Sequence, residues 1–172
     1  TSRFSASKLF KKEEDSAASH SYEELQNLKD VHNGETCIVI GNGPSLNLID
    51  MDLVSQFPHF AVNSYFLLED KIKRPPDFYV VEDTAVFKDN FSEIIDFEAK
   101  QKFFPMIYKE KLLSGRTSKE LGNPLFFRMN QGFYGRSTGT LGYPRFSQEF
   151  SQRAYWGQSG TMINLQLAYW MG

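Results

Sequence analysis

The sequence of 172 residues contains one cysteine, three histidines and no long apolar run, and each shortage excludes a class of protein. The single thiol, Cys37, excludes an intramolecular disulfide and a cysteine-based zinc site. The three histidines, His20, His32 and His59, lack the spacing of metal ligands, so no structural metal site is predicted. No stretch of about 18 apolar residues is present, and we therefore expect no membrane span.

A strong charge of either sign is also missing. The 19 Lys and Arg residues nearly balance the 21 Asp and Glu residues, which gives a formal net charge of -2. This balance argues against a protein that holds duplex nucleic acid on a broad basic face, so no nucleic-acid partner is expected. The first residues lack the apolar core of a secretory signal peptide, and the cytoplasm is the expected location.

The sequence does contain a regular alternation of short apolar runs and helical patterns. The apolar runs, rich in β-branched and aromatic residues, predict four strands at residues 36–40, 59–63, 78–81 and 103–108. Helical patterns occur at residues 21–29, 46–54, 84–100 and 162–171. Strands that alternate with helices are typical of parallel sheets, so we predict an α/β fold with a Rossmann-like parallel sheet flanked by helices.

Composition also predicts the domain boundaries. Residues 1–20 are polar and predict a flexible leader, whereas residues 21–172 predict one Rossmann-like nucleotide-binding domain. Within it, residues 110–157 contain many glycines and no clear period, which favours a long loop or lid. A parallel sheet normally receives another strand after a helix such as 162–171. We therefore expect the natural protein to continue beyond Gly172 and this domain to be truncated at its C-terminus.

The most informative motif is Gly41-Asn42-Gly43-Pro44-Ser45, directly after the first predicted strand. A glycine-rich turn at the carboxyl end of a buried strand places backbone N–H groups beside a helix N-terminus, which suits a phosphate. The motif is not a Walker loop, because no Lys-Ser or Lys-Thr pair follows its glycines. It also fits dinucleotide binding poorly, because Leu46 occupies the third glycine position and Asn63 stands where an acid is expected. A tight strand-to-helix connection without a ligand is the alternative.

Polar residues also end the second and third predicted strands and open the last helix. Asn63 follows the second strand and is a candidate for hydrogen bonding a ribose or a base. Glu82 and Asp83 follow the third strand; Asp83 is a candidate for holding Mg²⁺ through waters, or alternatively for capping the next helix. Ser159 and Gly160 offer a hydroxyl and free N–H groups to a sugar, a carboxylate or a partly neutralised phosphate, or only cap their helix. No histidine is near a candidate nucleophile in sequence, so no catalytic residue is assigned.

Four segments carry a resemblance to known proteins: residues 37–46, 60–63, 78–83 and 159–172. Together they resemble the bacterial and archaeal family named for 6-hydroxymethylpterin diphosphokinase. More distantly, they are similar to the bacterial CMP-sialic acid-dependent sialyltransferases, whose domain opens with the same Gly-Asn-Gly-Pro-Ser-Leu. The resemblance implies a Rossmann-like fold that binds a nucleotide at the carboxyl edge of the sheet.

The two branches of this resemblance imply different donors. In the sialyltransferases, the positions that match Asn42, Asn63, Ser159 and Gly160 contact the CMP-sugar. In the pterin branch the donor is ATP with Mg²⁺, and the acid that ends the third strand matches Asp83. The glycine-rich turn and the resemblance together predict a nucleotide-binding set made of Gly41, Asn42, Gly43, Pro44, Ser45, Asn63, Asp83, Ser159 and Gly160.

Three functions follow as hypotheses. The first is a nucleotide-dependent transferase, resembling a glycosyltransferase, that moves a sugar from a nucleotide-sugar donor to a small-molecule or glycan acceptor in surface-glycan biosynthesis. The second is an ATP-dependent diphosphokinase of the 6-hydroxymethylpterin type, with Mg²⁺ as its cofactor. The third is a nucleotide-binding domain without catalytic activity. Metal dependence separates the first two, because a CMP-sugar has no second donor phosphate that needs neutralising.

Overall fold

Five short strands form one parallel sheet in the computed structural model of the chain, which describes residues 18–131 and 145–172. The strands are β1 (Ile38–Val39), β2 (His59–Val62), β3 (Phe78–Val80), β4 (Gln101–Pro105) and β5 (Leu125–Phe127). Their order in the sheet equals their order in the chain, and every neighbouring pair is parallel. The predicted α/β fold with a parallel sheet flanked by helices is therefore confirmed.

The sheet is covered on both faces, as its continuous apolar strands require. On one face, Ala61, Tyr79 and Phe104 pack with residues of the segments that connect successive strands. These segments include α2 (Met51–Val54), α3 (Thr84–Asp89), α4 (Phe91–Asp96) and α5 (Lys109–Leu113). They share one face because right-handed crossovers between strands laid down in sequential order all pass on the same side.

Two longer helices cover the opposite face. They are α1 (Ala18–Asn27), which packs on β5, and α6 (Gly160–Met171), which crosses β1, β2 and β3. The ends of these helices are joined, because Trp170 Nε1 donates to the Leu25 carbonyl at 2.8 Å. Gly172 is the C-cap residue of α6 and has φ +103°, a backbone conformation that favours glycine. Among the described residues, no helix combines the length and apolarity needed to cross a membrane.

Several predicted elements differ from the observed ones. The segment after β1 is not a single helix over 46–54 but a 3₁₀ turn at Pro44–Leu48 followed by the four residues of α2. The side chain of Asp50 starts α2 anew by accepting from Asp52 N and Leu53 N. The helix predicted over 84–100 is broken into α3 and α4 at Asn90, where the backbone leaves the helical region (φ -128°, ψ 41°).

The ends of the described segments also correct the sequence predictions. The first helix covers Ala18–Asn27, so it begins three residues before the predicted start at residue 21 and includes Ser21 in its interior. Most of the predicted leader lies outside the described residues, which start at residue 18. The thiol of Cys37 precedes β1 and is exposed, not buried within a strand. The fourth strand covers 101–105, and residues 106–108 form a 3₁₀ turn.

The stretch 110–157, which the sequence predicts as a long loop or lid, contains regular structure in its described parts. Strand β5 lies within it, as does a small parallel pair of β6 (Met129–Asn130) and β7 (Ala154–Tyr155). Strand β5 is only three residues long and buried on both sides, too short for a period to reveal it. Residues 132–144, which belong to the same prediction, lie outside the described residues.

Candidate functional site

The predicted site residues converge where the carboxyl ends of β1, β2 and β3 meet the first turn of α6. A methyl group built on Gly41 would lie 3.3 Å from Thr161 Oγ1, so the glycine loop is in contact with α6. A methyl group on Gly160 would lie 3.2 Å from Asn63 Nδ2 and 3.3 Å from Glu82 Oε1. Residues far apart in the chain thus surround one place, and the two glycines make this close approach feasible.

The glycine loop leaves the sheet at Gly41. Between β1 and β2, Ile38 N donates a hydrogen bond to Pro58 O and Ile40 N donates one to Phe60 O, both at 2.9 Å. At the next rung the side chain of Asn42 replaces the backbone, because its Nδ2 donates to Val62 O at 2.7 Å. The loop therefore separates from β2 and exposes its backbone while Asn42 holds it to the sheet. The Oδ1 of Asn42 has no hydrogen-bond partner among the described residues.

The helix N-terminus at this loop comes from a different part of the chain than predicted. Only the short 3₁₀ turn follows the loop, whereas α6, twelve residues long, brings its first turn against Gly41. Ser159 is the N-cap residue of α6, yet its side chain makes no capping hydrogen bond. Within the described residues the hydroxyls of Ser45, Ser159 and Thr161 have no hydrogen-bond partner, and none of these three residues is buried.

Asn63 holds the turn after β3 in place. Its Oδ1 accepts from the backbone N–H groups of Glu82 at 3.0 Å and Asp83 at 3.1 Å, and its Nδ2 donates to Glu82 Oε1 at 3.3 Å. The Tyr79 hydroxyl donates to its carbonyl oxygen. Its backbone has φ +43°, a left-handed conformation that asparagine tolerates better than most residues. Asn63 thus has an internal structural role at the predicted site.

Glu82 is the buried carboxylate at the centre of this network. It is 6% exposed, and both of its oxygens accept hydrogen bonds. Oε2 accepts from Trp156 Nε1 at 2.8 Å, and the carboxylate also accepts from Asn63 and from the backbone N–H of Gly160. Burial raises the pKa of Glu82, the hydrogen bonds from Trp156 and Asn63 oppose that shift, and the charge of Asp83 adds to it. Its carboxylate occupies a place at the N-terminus of α6 where an anion is favoured.

Trp156 is a site residue that the sequence analysis missed. The buried Gln166 of α6 positions the segment that carries it, because Gln166 accepts from Tyr155 N at 2.9 Å and donates to Tyr155 O at 2.8 Å. The only sequence signal was an indole within a glycine-rich stretch. Nothing local indicated that it reaches a carboxylate 74 residues away.

Asp83 caps the helix that follows it, which was one of its two predicted roles. One carboxylate oxygen, Oδ1, accepts from Ala85 N at 2.8 Å and Val86 N at 3.0 Å. No group of three or more His, Cys, Asp or Glu side chains among residues 18–131 and 145–172 is arranged to hold a metal ion. The oxygens of neighbouring Glu82 are already occupied, so a protein-held Mg²⁺ would depend on the remaining oxygen of Asp83. The described residues therefore fit a magnesium ion poorly.

One further polar atom lies buried near this edge. Asn164 of α6 is fully buried and donates from Nδ2 to Ala61 O at 3.2 Å, but its Oδ1 has no partner. An unsatisfied buried acceptor typically costs about 1–3 kcal/mol. Asn164 follows Gly160 by about one helical turn, so this unsatisfied oxygen atom lies in the part of α6 next to the candidate site.

The chain matches no protein-family model, no curated protein sequence and no solved structure, so its resemblance to the 6-hydroxymethylpterin diphosphokinase family stays a prediction from the motifs.

Proposed function

We propose that the chain is a nucleotide-dependent transferase, resembling a glycosyltransferase, that moves a sugar from a nucleotide-sugar donor to a glycan or small-molecule acceptor in surface-glycan biosynthesis. The observation that carries this proposal is the contact between the exposed Gly41–Ser45 loop and the first turn of α6. Ligands of open α/β sheets bind at the carboxyl ends of the strands, where this contact is located.

The groups open at this place suit a ligand with one phosphate and several hydroxyls. Residues 41–43 are exposed, so a phosphate is able to reach their backbone N–H groups. The hydroxyls of Ser159 and Thr161 and the Oδ1 of Asn42 are able to bond the hydroxyls of a ribose or sugar. The proposed reaction is displacement at the anomeric carbon of the donor, with the nucleotide as the leaving group and an acceptor hydroxyl as the nucleophile.

The buried carboxylate of Glu82 favours a donor with little negative charge. A like charge about 7 Å from it would cost roughly 2 kcal/mol at an effective dielectric constant of about 20. A CMP-sugar brings one phosphodiester charge, whereas ATP brings three phosphates and requires a metal. Since the described residues fit a magnesium ion poorly, the nucleotide-sugar donor is the better match.

A diphosphokinase of the 6-hydroxymethylpterin type is the second candidate. The feature that favours it is the second carboxylate oxygen of Asp83, which stands at the same sheet edge as the glycine loop and is not used by the helix cap. Asp83 would be the residue that holds the magnesium ion, whose positive charge would neutralise the ATP phosphates. A nucleotide-binding domain without activity is the outcome if a nucleotide binds and neither transfer occurs.

The test is a thermal-shift panel with CMP, CDP, UDP, GDP and ATP, each with and without Mg²⁺. A ligand that binds only the folded state stabilises it by about 2.7 kcal/mol at 100 times its Kd. We expect CMP to raise the melting temperature equally with and without metal. Stabilisation by ATP that requires Mg²⁺ would instead support the diphosphokinase, and no shift with any nucleotide would contradict both.

Two variants connect such a shift to the site. Gly43→Ala adds a methyl group 3.6 Å from Ser45 Oγ, an ordinary contact, and should weaken phosphate binding without lowering the melting temperature of the free protein. Thr161→Val removes the hydroxyl beside Gly41 at nearly constant volume. Ser92→Ala, at an exposed position of α4 on the other face of the sheet, is the matched control and should leave the CMP shift unchanged.

A further inference from the structure

An open cleft of about 400 Å³ lies at the edge of the sheet opposite the candidate site. It is bounded by residues 95–100, which connect α4 to β4, by residues 120–122, and by Pro75. Lys102, the second residue of β4, forms part of its wall. Because the candidate nucleotide site uses the carboxyl ends of the strands, nothing in that site accounts for this cleft.

Lys102 is held in a way that suits a neutral amine. The residue is only 9% exposed, and its Nζ donates to the carbonyl oxygens of Ile94 at 3.1 Å and Ile95 at 2.6 Å. A neutral amine has two N–H donors and one lone pair, so these two carbonyls use both donors and leave the lone pair. The third N–H of an ammonium would find no acceptor among the described residues and would depend on water in the open cleft.

Burial, and not the charge around it, favours the neutral amine of Lys102. Burial lowers the pKa of Lys102 to about 8, although the more distant charges of Asp96 and Glu98 oppose the shift. Lys102 forms no ion pair with a described carboxylate. By contrast, neighbouring Lys100 is 71% exposed and its Nζ is paired with Asp77. Lys102 is therefore buried and has no ion pair, whereas Lys100, two residues before it, is exposed and ion-paired.

We infer that Lys102 is a nucleophilic lysine that forms an imine with a small aldehyde entering this cleft. Its lone pair attacks the carbonyl carbon, the C–N bond forms, and a proton moves from nitrogen to the carbonyl oxygen. The hydroxyl then takes up a proton and leaves as water while the nitrogen lone pair completes the C=N bond. Loss of the remaining proton from nitrogen gives the imine and returns the proton taken up, so no oxidant or reductant is needed. Three carboxylates border the cleft, Asp96, Glu98 and Glu120, and among the described residues the one other charged lining residue besides Lys102 is Lys100, which is paired with Asp77. This excess of negative charge is unfavourable for anionic aldehydes, so the substrate class is an uncharged or cationic one.

The test traps the imine on the full chain with propionaldehyde and cyanoborohydride, followed by peptide mapping of each lysine. At pH 7 an amine with a pKa of about 8 is roughly 10% neutral, against about 0.04% for an ordinary lysine. We expect Lys102 to be alkylated at least about tenfold faster than Lys100, after allowance for its lower exposure and nucleophilicity. The rate at Lys102 should rise with pH and level off above about pH 8. The ratio of the rate at Lys102 to the rate at Lys100 should be smaller with glyoxylate, an anionic aldehyde, than with propionaldehyde.

Variants separate reactivity from a structural role of the side chain. Lys102→Arg keeps a donor for the two carbonyls and forms no imine, so fast alkylation should disappear while the melting temperature stays near that of the parent chain. Lys100→Arg is the matched control and should leave the rate at Lys102 unchanged. Alkylation of Lys102 no faster than that of Lys100 in the parent chain, or only after denaturation, would overturn the inference. An equal Lys102-to-Lys100 rate ratio with glyoxylate and propionaldehyde would overturn the substrate class. The parent-chain comparison needs no variant to fold.

Discussion

Replacing Glu82 by glutamine tests whether this carboxylate organises the candidate site. The side chain is 6% exposed and accepts from Trp156 Nε1 on one oxygen, with Asn63 Nδ2 and Gly160 N as its other donors. Glutamine has the same shape but one oxygen and one NH₂ group. Whichever way the amide is oriented, its NH₂ faces a donor, so at least one buried donor loses its acceptor.

The expected loss follows from these hydrogen bonds. A buried donor left unsatisfied costs about 1–3 kcal/mol, and the variant recovers part of that because it no longer buries a charge. We expect Glu82→Gln to lower the free energy of unfolding by about 1–2 kcal/mol near pH 7. Glu82→Ala leaves all three donors without a partner and should cost more.

The pH dependence has a definite sign. Because folding raises the pKa of Glu82 above 4.5, the folded state binds more protons than the unfolded state between these two pKa values. This group therefore makes the protein less stable as pH rises through that window. Glu82→Gln removes the titration, so its deficit should be larger at pH 4.5 than at pH 7.

Urea unfolding of both chains at several pH values measures these quantities. Trp156→Phe removes one of the donors, and the double variant should be about 1 kcal/mol less destabilised than the sum of the two single variants. Additive losses, or a Glu82→Gln chain as stable as the parent at every pH, would refute the role assigned to Glu82.

Two further predictions concern stability. Asp77 is buried at the opposite sheet edge, where burial raises its pKa but hydrogen bonds from Lys100, from the His59 N–H and from Arg74 outweigh that effect and lower the pKa overall. The stabilisation that Asp77 provides is present above pH 3.8 and is lost as pH falls through the pKa of the folded state. Asp77→Asn should therefore lower the free energy of unfolding by about 3 kcal/mol at pH 7 and flatten this acid dependence. An unchanged urea midpoint would contradict this prediction. Gly157→Ala should cost more than about 2 kcal/mol, because φ is +59° and the new methyl group would lie 2.8 Å from Met162 Cβ. Gly34→Ala, at φ +78° with nothing within 4 Å, is the control and should lower the melting temperature less.

Local pattern was sufficient for much of the fold. Each of the four predicted strands overlaps an observed one, since apolar runs of β-branched and aromatic residues have few alternatives to a buried parallel strand. The capping role of Asp83 and the C-cap at Gly172 were also predictable, because both depend on residues within a few positions. Prediction failed at β5, whose three residues contain no period, and at Asn90, where the break between α3 and α4 has no proline or glycine to announce it.

The candidate site was likewise predictable from the sequence only in part. Its place at the carboxyl edge and its glycine loop follow from the sequence alone, because a glycine-rich turn after a buried strand is a local signal. Which helix meets that loop was decided by tertiary structure: α6 arrives from more than a hundred residues further along the chain. The same holds for the bond between Trp156 and Glu82 and for the carbonyls that hold Lys102. Sequence periodicity encodes which face of an element is apolar, whereas the partner of a buried polar group is determined only when distant elements pack together.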